Sequence, residues 1–244
     1  IHAMGNIYIG GYVEDADIWS GQDIIIQDGV NAGENGRIEA MGNISARFFE
    51  NAHIISHSDI KCDYMLNTTA LAYGGIYLEG KRGSVIGGDV TGVRGISIKA
   101  CGSESYSKTV LRVGVTKEIS SEYAKVLMVL KDIDTQIDRF NQALQKLDIL
   151  KKAGSDKFDE TLNRKLLQSK IVKTAEKAKY EEKSRNLYTL VRESDRAVVR
   201  IDKNIYPGSR VFMGDKTYVP STVFTHIALK KTSQGVLIRN YDSM

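Results

Sequence analysis

Proline is nearly missing from this chain, and both examples, Pro207 and Pro220, fall close to its end. Cysteine is as scarce. Cys62 and Cys101 form no CxxC pair and have no histidine at ligand spacing, which excludes a disulfide framework and a zinc ribbon. Both are expected to act as small buried hydrophobes, in a chain suited to a reducing compartment. No apolar run approaches the roughly 18 to 20 residues that a spanning helix needs. The opening "IHAMGNIYIGG" also lacks the basic-then-apolar order of a signal peptide. It enters a repeat in mid-phase, so we expect a fragment of something longer, whose export signal could have been lost.

Glycine is missing from one region only. Eighteen of the 22 glycines lie in residues 1–116, Gly154 alone lies in 117–200, and three follow. Charge divides the same way: residues 1–116 carry 9 Lys+Arg and 13 Asp+Glu, residues 117–200 carry 19 and 14, and residues 201–244 carry 6 and 3. Two kinds of architecture therefore share the chain.

The glycine-rich part repeats. Ile7, Ile24, Ile44, Ile60 and Ile76 stand six positions after Ile1, Ile18, Ile38, Ile54 and Ala70. Between each pair is a small corner residue: Gly5, Gly42 and Gly74 at minus two, Ser58 at the same place, and Gly21 at minus three. The second column advances by 17, 20, 16 and 16 residues, and the long interval contains "DGVNAGENG", expected to bulge as a loop. A fixed period near 16 predicts a solenoid, whose coils bury their apolar sides only by stacking. "GNIYI", "QDIIIQ", "GRIEA" and "HIISH" alternate like strands, with Gly, Asn and Asp at the turns. Such glycine density excludes a helix.

From residue 117 the pattern changes. Ile119, Tyr123, Val126, Leu130, Ile133, Ile137, Phe140, Leu144 and Leu147 are spaced alternately by four and three, a coiled-coil seam. Gly154 is expected to end that helix, and Ser155 or Asp156 to cap the next. The second segment, about 156–196, carries Leu162, Leu166, Ile171, Ala175, Ala178, Leu187 and Val191 on a less regular stripe. Together they predict an antiparallel hairpin with arms of about 55 Å. Residues 201–244 return to a β pattern with a "YPGSRV" turn and are expected to rejoin the solenoid.

Candidate chemistry is thin. Asp15, Asp17, Asp23, Asp28 and Glu34 could serve a carbohydrate-active β-helix enzyme, yet they sit where aspartate commonly supports turns. His53 and His57 are four apart, but a strand-and-corner coil need not place such a pair on one face and no third ligand is evident. "GSVIGGDVTG" has the glycine of a phosphate loop without its GK[ST] ending. The lysines Lys151, Lys152, Lys170, Lys173, Lys177 and Lys179 could meet nucleic acid or an acidic membrane surface. Interspersed acidic residues favour a solvated helical face instead. Trp19 could anchor a partner or cover a solenoid edge.

The stretch 80–115, "GKRGSVIGGDVTGVRGISIKACGSESYSKTVLRVGV", resembles the bacterial flagellar assembly protein A family. The resemblance rests on Gly80, Lys81, Gly83, Ile86, Gly87, Gly88, Gly95, Ile96, Gly102, Thr109, Val113 and Gly114, with the repeat before and the helical pair after. It spans almost the whole chain; the family's amino-terminal domain, which precedes its solenoid, is expected to be absent. "VEDADI" and "NAGENGRIEAMGNISARFFENAHI" are more weakly similar to the carboxy-terminal β-helix of the division inhibitor MinC, and bactofilin filament formers share the solenoid logic. The resemblance implies a right-handed β-helix with a coiled-coil insertion, and a cytoplasmic role in flagellar assembly or cell-pole organisation, polar or peripheral to the inner membrane. It brings no catalytic residue.

The fold class expected is thus mainly β with an α insertion: a right-handed parallel β-helix over 1–116, an antiparallel coiled-coil hairpin over 117–200, and a β segment over 201–244 packed on the β-helix. We expect a non-enzymatic scaffold without cofactor or metal. Its partners would be proteins, with self-association in view through unpaired end coils. A basic nucleic-acid- or membrane-binding module is the alternative, and a carbohydrate-active protein the second.

Overall fold

A computed structural model describes residues 1–33, 36–115, 117–194 and 196–240. The chain divides into two compact units, residues 1–116 with 190–244, and residues 117–189.

The first unit is a parallel β-solenoid of about six turns. Its opening coils are β1 (His2–Ala3), β2 (Ile7–Ile9) and β3 (Val13–Glu14), then β4 (Ile18–Ser20), β5 (Ile24–Ile26) and β6 (Gly29–Asn31). Next come β7 (Arg37–Ala40), β8 (Ile44–Ser45) and β9 (Phe48–Glu50). Later strands lengthen and turn corners: β10 (His53–Ser56), β11 (Ile60–Cys62), β12 (Tyr64–Ala72), β13 (Gly75–Leu78), β14 (Ser84–Gly92), β15 (Gly95–Cys101) and β16 (Thr109–Val113). The stretch "DGVNAGENG" is therefore not all loop. Its Gly29–Asn31 forms β6, because Val30 falls into the interior between Val13 and Phe49.

Three inward columns fill the interior. Ile18, Ile38, Ile54, Ala70, Val90 and Leu111 stack on the first face. Ile7, Ile24, Ile44, Ile60, Ile76 and Ile96 stack on the second. Val13, Val30, Phe49, Met65, Val85 and Cys101 stack on the third. All eighteen are buried. β-branched side chains suit these pleated ladders, and each fully buried isoleucine is worth about 1.5–3 kcal/mol relative to exposure.

After β16 the chain forms α1 (Lys117–Lys152) and α2 (Glu160–Ser194), then returns as β17 (Val198–Ile205) and β18 (Ser209–Met213). β17 pairs in parallel with β15, and β18 with β16, so the ladders resume where they stopped. The helices thus interrupt one corner, the turn from first to second face. Earlier coils make the same turn with two or three residues: 4–6, 21–23, 41–43, 57–59, 73–74 and 93–94. An insertion there breaks no ladder. The chain closes with β19 (Lys216–Tyr218), β20 (Phe224–Lys231) and β21 (Val236–Asn240). These run antiparallel: β19 on β18, β20 on β17, and β21 on β20.

Candidate functional site

The corner between first and second faces is built by the residue just before each second-column isoleucine. Asp23 donates its backbone N–H to Asn6 Oδ1 at 3.0 Å, and Asn43 donates to Asp23 Oδ1 at 2.6 Å. Asp59 donates to Asn43 Oδ1 at 3.2 Å, and Gly75 to Asp59 Oδ1 at 2.7 Å. Each Asn or Asp side chain therefore holds the backbone of the following coil. Inside the same corner Ser20 Oγ donates to Gly5 O and Ser56 Oγ to Gly42 O, both at 2.8 Å. Ser20 and Ser56 are fully buried, and these bonds satisfy them.

The acidic candidates are spread among turns. Asp17 Oδ1 accepts the Arg37 N–H at 2.8 Å, Asp23 belongs to the ladder, and Asp15 has a left-handed φ of 41°. Asp28 is exposed, and Glu34 lies outside the described residues. Asp63 is held too, accepting from Arg82 N–H and Gly83 N–H. It borders a shallow hollow of about 300 Å³ with Arg47, Lys61, Tyr77 and Glu79. His53 is exposed, while His57 stacks on Tyr73 at 4.9 Å with Glu39 3.6 Å away. Trp19 stacks on His2 at 4.2 Å. Among the described residues no His/Cys/Asp/Glu group could hold a metal. Cys62 and Cys101 are buried free thiols. Burial pushes the Cys101 thiol up to about 12, and the Cys62 thiol higher still.

Of the glycines in the 80–115 stretch, Gly83, Gly87, Gly88, Gly95, Gly102 and Gly114 all have positive φ, and Gly80 lies against Asp63. Gly88 shows why: its φ is 80°, and a Cβ there would sit 2.1 Å from Thr68 O in the neighbouring coil. Close passage between coils, not phosphate binding, accounts for "GSVIGGDVTG".

The second unit presents the helical pair. On α1, Ile119, Val126, Ile133 and Leu147 are buried, while Tyr123, Leu130, Ile137, Phe140 and Leu144 are half-buried. Contacts between the helices ascend one as they descend the other. Glu122 bonds Lys183 at 2.7 Å, Tyr123 meets Tyr188, and Asp134 bonds Lys177 at 2.7 Å. These carboxylates hold the Lys177 and Lys183 ammonium groups above the usual lysine range, through the hydrogen bond first and charge second.

The second helix differs from its sequence pattern. Ile171 is 67% exposed and Leu162 45%, whereas Asn163, Leu166, Lys170, Lys173, Lys177, Tyr180 and Ser184 are half-buried and Leu187 is buried. Lysine stems are apolar, so they can lie inward while their ammonium groups reach out to Asp134 and Glu176. The connection differs as well. Gly154, at φ 61°, does follow the end of α1, with Ser155 N–H bonded to Leu150 O. The cap of α2 is Asp159, whose Oδ1 accepts Leu162 N–H at 3.0 Å; Ser155 instead opens a turn, accepting Phe158 N–H on its carbonyl. That turn sets Phe158 under Lys151, 5.5 Å from the ring centre. An open hollow of about 740 Å³ lies beside one stretch of the pair, lined by Glu122, Lys125, Val126, Val129, Tyr180 and Lys183.

No helix among the described residues is long and apolar enough to cross a membrane. The family model described as the Flagellar Assembly Protein A β-solenoid domain matches residues 1–234. No curated protein and no solved structure matches the chain.

Proposed function

The chain belongs to the flagellar assembly protein A family, and from that premise we propose that it is a non-enzymatic scaffold linked to flagellar assembly, acting through protein contacts. The observation that carries this reading is the join of two different surfaces at one corner of the repeat. A solenoid whose corners are tied by Asn6, Asp23, Asn43 and Asp59 gives a stiff frame. At the seventh such corner the chain substitutes two helices of 36 and 35 residues for a turn of two or three. Those helices keep apolar side chains such as Met128, Ile171 and Val172 in solvent, together with an open hollow. Exposed apolar residues rimmed by charge are what a protein partner buries. Of the acidic turn residues, Asp17, Asp23 and Asp59 accept backbone N–H groups of the following coil.

The test is genetic. In a deletion strain, flagellar number and position are counted after rescue with the whole protein or with a version lacking 118–196. Rescue by the whole protein alone supports the reading and assigns the partner contact to the helices. Normal flagella in the deletion strain would overturn it.

A further inference from the structure

The solenoid unit is neutral overall but strongly polarised along its stack. Residues 1–79, the early coils, hold 3 Lys+Arg and 11 Asp+Glu, a net of −8. Residues 80–116 with 190–244, the later coils and closing strands, hold 15 and 7, a net of +8. The two halves are therefore equal and opposite. Exposed apolar residues follow the same division. Tyr8, Tyr12, Ile25 and Met41 lie in the acidic half, and Val219, Val223, Phe224 and Ile238 in the basic end. Among the described residues between 42 and 105, no large apolar side chain is exposed.

We infer that two copies of this chain associate side by side with their solenoids antiparallel, the acidic half of each against the basic half of the other. Equal and opposite charge on one molecule is complementary to a second copy of itself, and the antiparallel arrangement makes the favourable contact twice about a two-fold axis. A parallel pair would set −8 against −8. At the carboxy-terminal side β20 covers the edge of β17 and β19 that of β18, so the antiparallel strands end the parallel ladders there, with β21 outermost. This inference does not depend on the flagellar reading.

Sedimentation velocity of the 244-residue chain tests it. At about 50 mM salt a dimer is expected; at about 500 mM, where the screening length falls to a few ångströms, dissociation should weaken it by at least about ten-fold. Two triple variants use exposed residues: Glu14→Lys with Asp28→Lys and Glu79→Lys, and Lys81→Glu with Lys203→Glu and Arg210→Glu. Each reversal takes its half from eight net charges to two, so each variant alone should be monomeric. Their equimolar mixture should recover dimer, since one pair of intact halves then meets. A wild-type chain that stays monomeric at 100 µM and low salt would overturn the inference. So would assemblies growing past dimer, or salt-sensitive binding to phosphatidylglycerol vesicles or a DNA duplex without self-association. Wild-type salt dependence stands on its own should either variant fail to fold.

Discussion

Replacing Asp59 with alanine removes the carboxylate that accepts the Gly75 N–H at 2.7 Å. Gly75 is buried, so that N–H has no water to turn to. A hydrogen bond to a charged group is worth about 1.5–3 kcal/mol net, and an orphaned buried donor costs a similar amount. A loss of about 2 kcal/mol is expected, or roughly 30-fold in the folding equilibrium. For a unit of this size the melting temperature should fall by about 4–8 °C. Asp59→Asn keeps an oxygen at the same place, as Asn43 does one coil earlier, and should cost less than about 1 kcal/mol. Urea unfolding followed by the fluorescence of Trp19, the single tryptophan, reads both variants. If Asp59→Ala lies within about 0.5 kcal/mol of wild type, or if asparagine is as damaging as alanine, the corner ladder is not what ties the coils.

Ile44→Ala should lose about 2–5 kcal/mol, because Ile44 is fully buried between Ile24 and Ile60, whereas Ser45→Ala, one residue on and facing outward, should stay within about 0.5 kcal/mol. Equal effects in urea unfolding would contradict the alternation. Cys62 and Cys101 should resist iodoacetamide at pH 8 in the folded chain and both react in guanidinium, since burial raises both thiols; rapid native labelling of either would show that its coil opens. Lys231 and Lys216, bonded to the exposed Asp215, hold its carboxyl down to about 2. A depressed folded pKa contributes stability above the ordinary value near 3.9 and loses it as pH falls towards 2. The Asp215 carboxyl carbon should therefore titrate with a midpoint near 2, and a midpoint near 3.9 would refute the pairing.

Much of the fold was legible because a solenoid writes its contacts at a fixed sequence interval. The 17, 20, 16 and 16 spacing of Ile7, Ile24, Ile44, Ile60 and Ile76 matches the pairing of neighbouring coils. The heptad pattern on α1 was as plain, since one helix face repeats in sequence. The third interior column is not legible in the sequence, because Val13, Val30, Phe49, Met65, Val85 and Cys101 share burial but no residue type. The corner ladder does carry a sequence signal: Asn6, Asp23, Asn43 and Asp59 each stand directly before a column isoleucine. The isoleucine fills the interior, while the polar residue beside it ties one coil to the next.

The sequence by itself determined the period, two of the three apolar columns and the places of the two helices, because these depend on residues near in the chain or regular along it. The tertiary structure alone decided which polar atoms meet. That Asp59 serves Gly75, that Lys177 of α2 turns inward to Asp134 while Ile171 turns out, and that antiparallel strands close the last coil depend on backbone placed by distant segments. Hydrophobic burial is non-directional and needs only the right side of a strand. A hydrogen bond needs a partner within about 3 Å at a set angle, and only the folded chain supplies it.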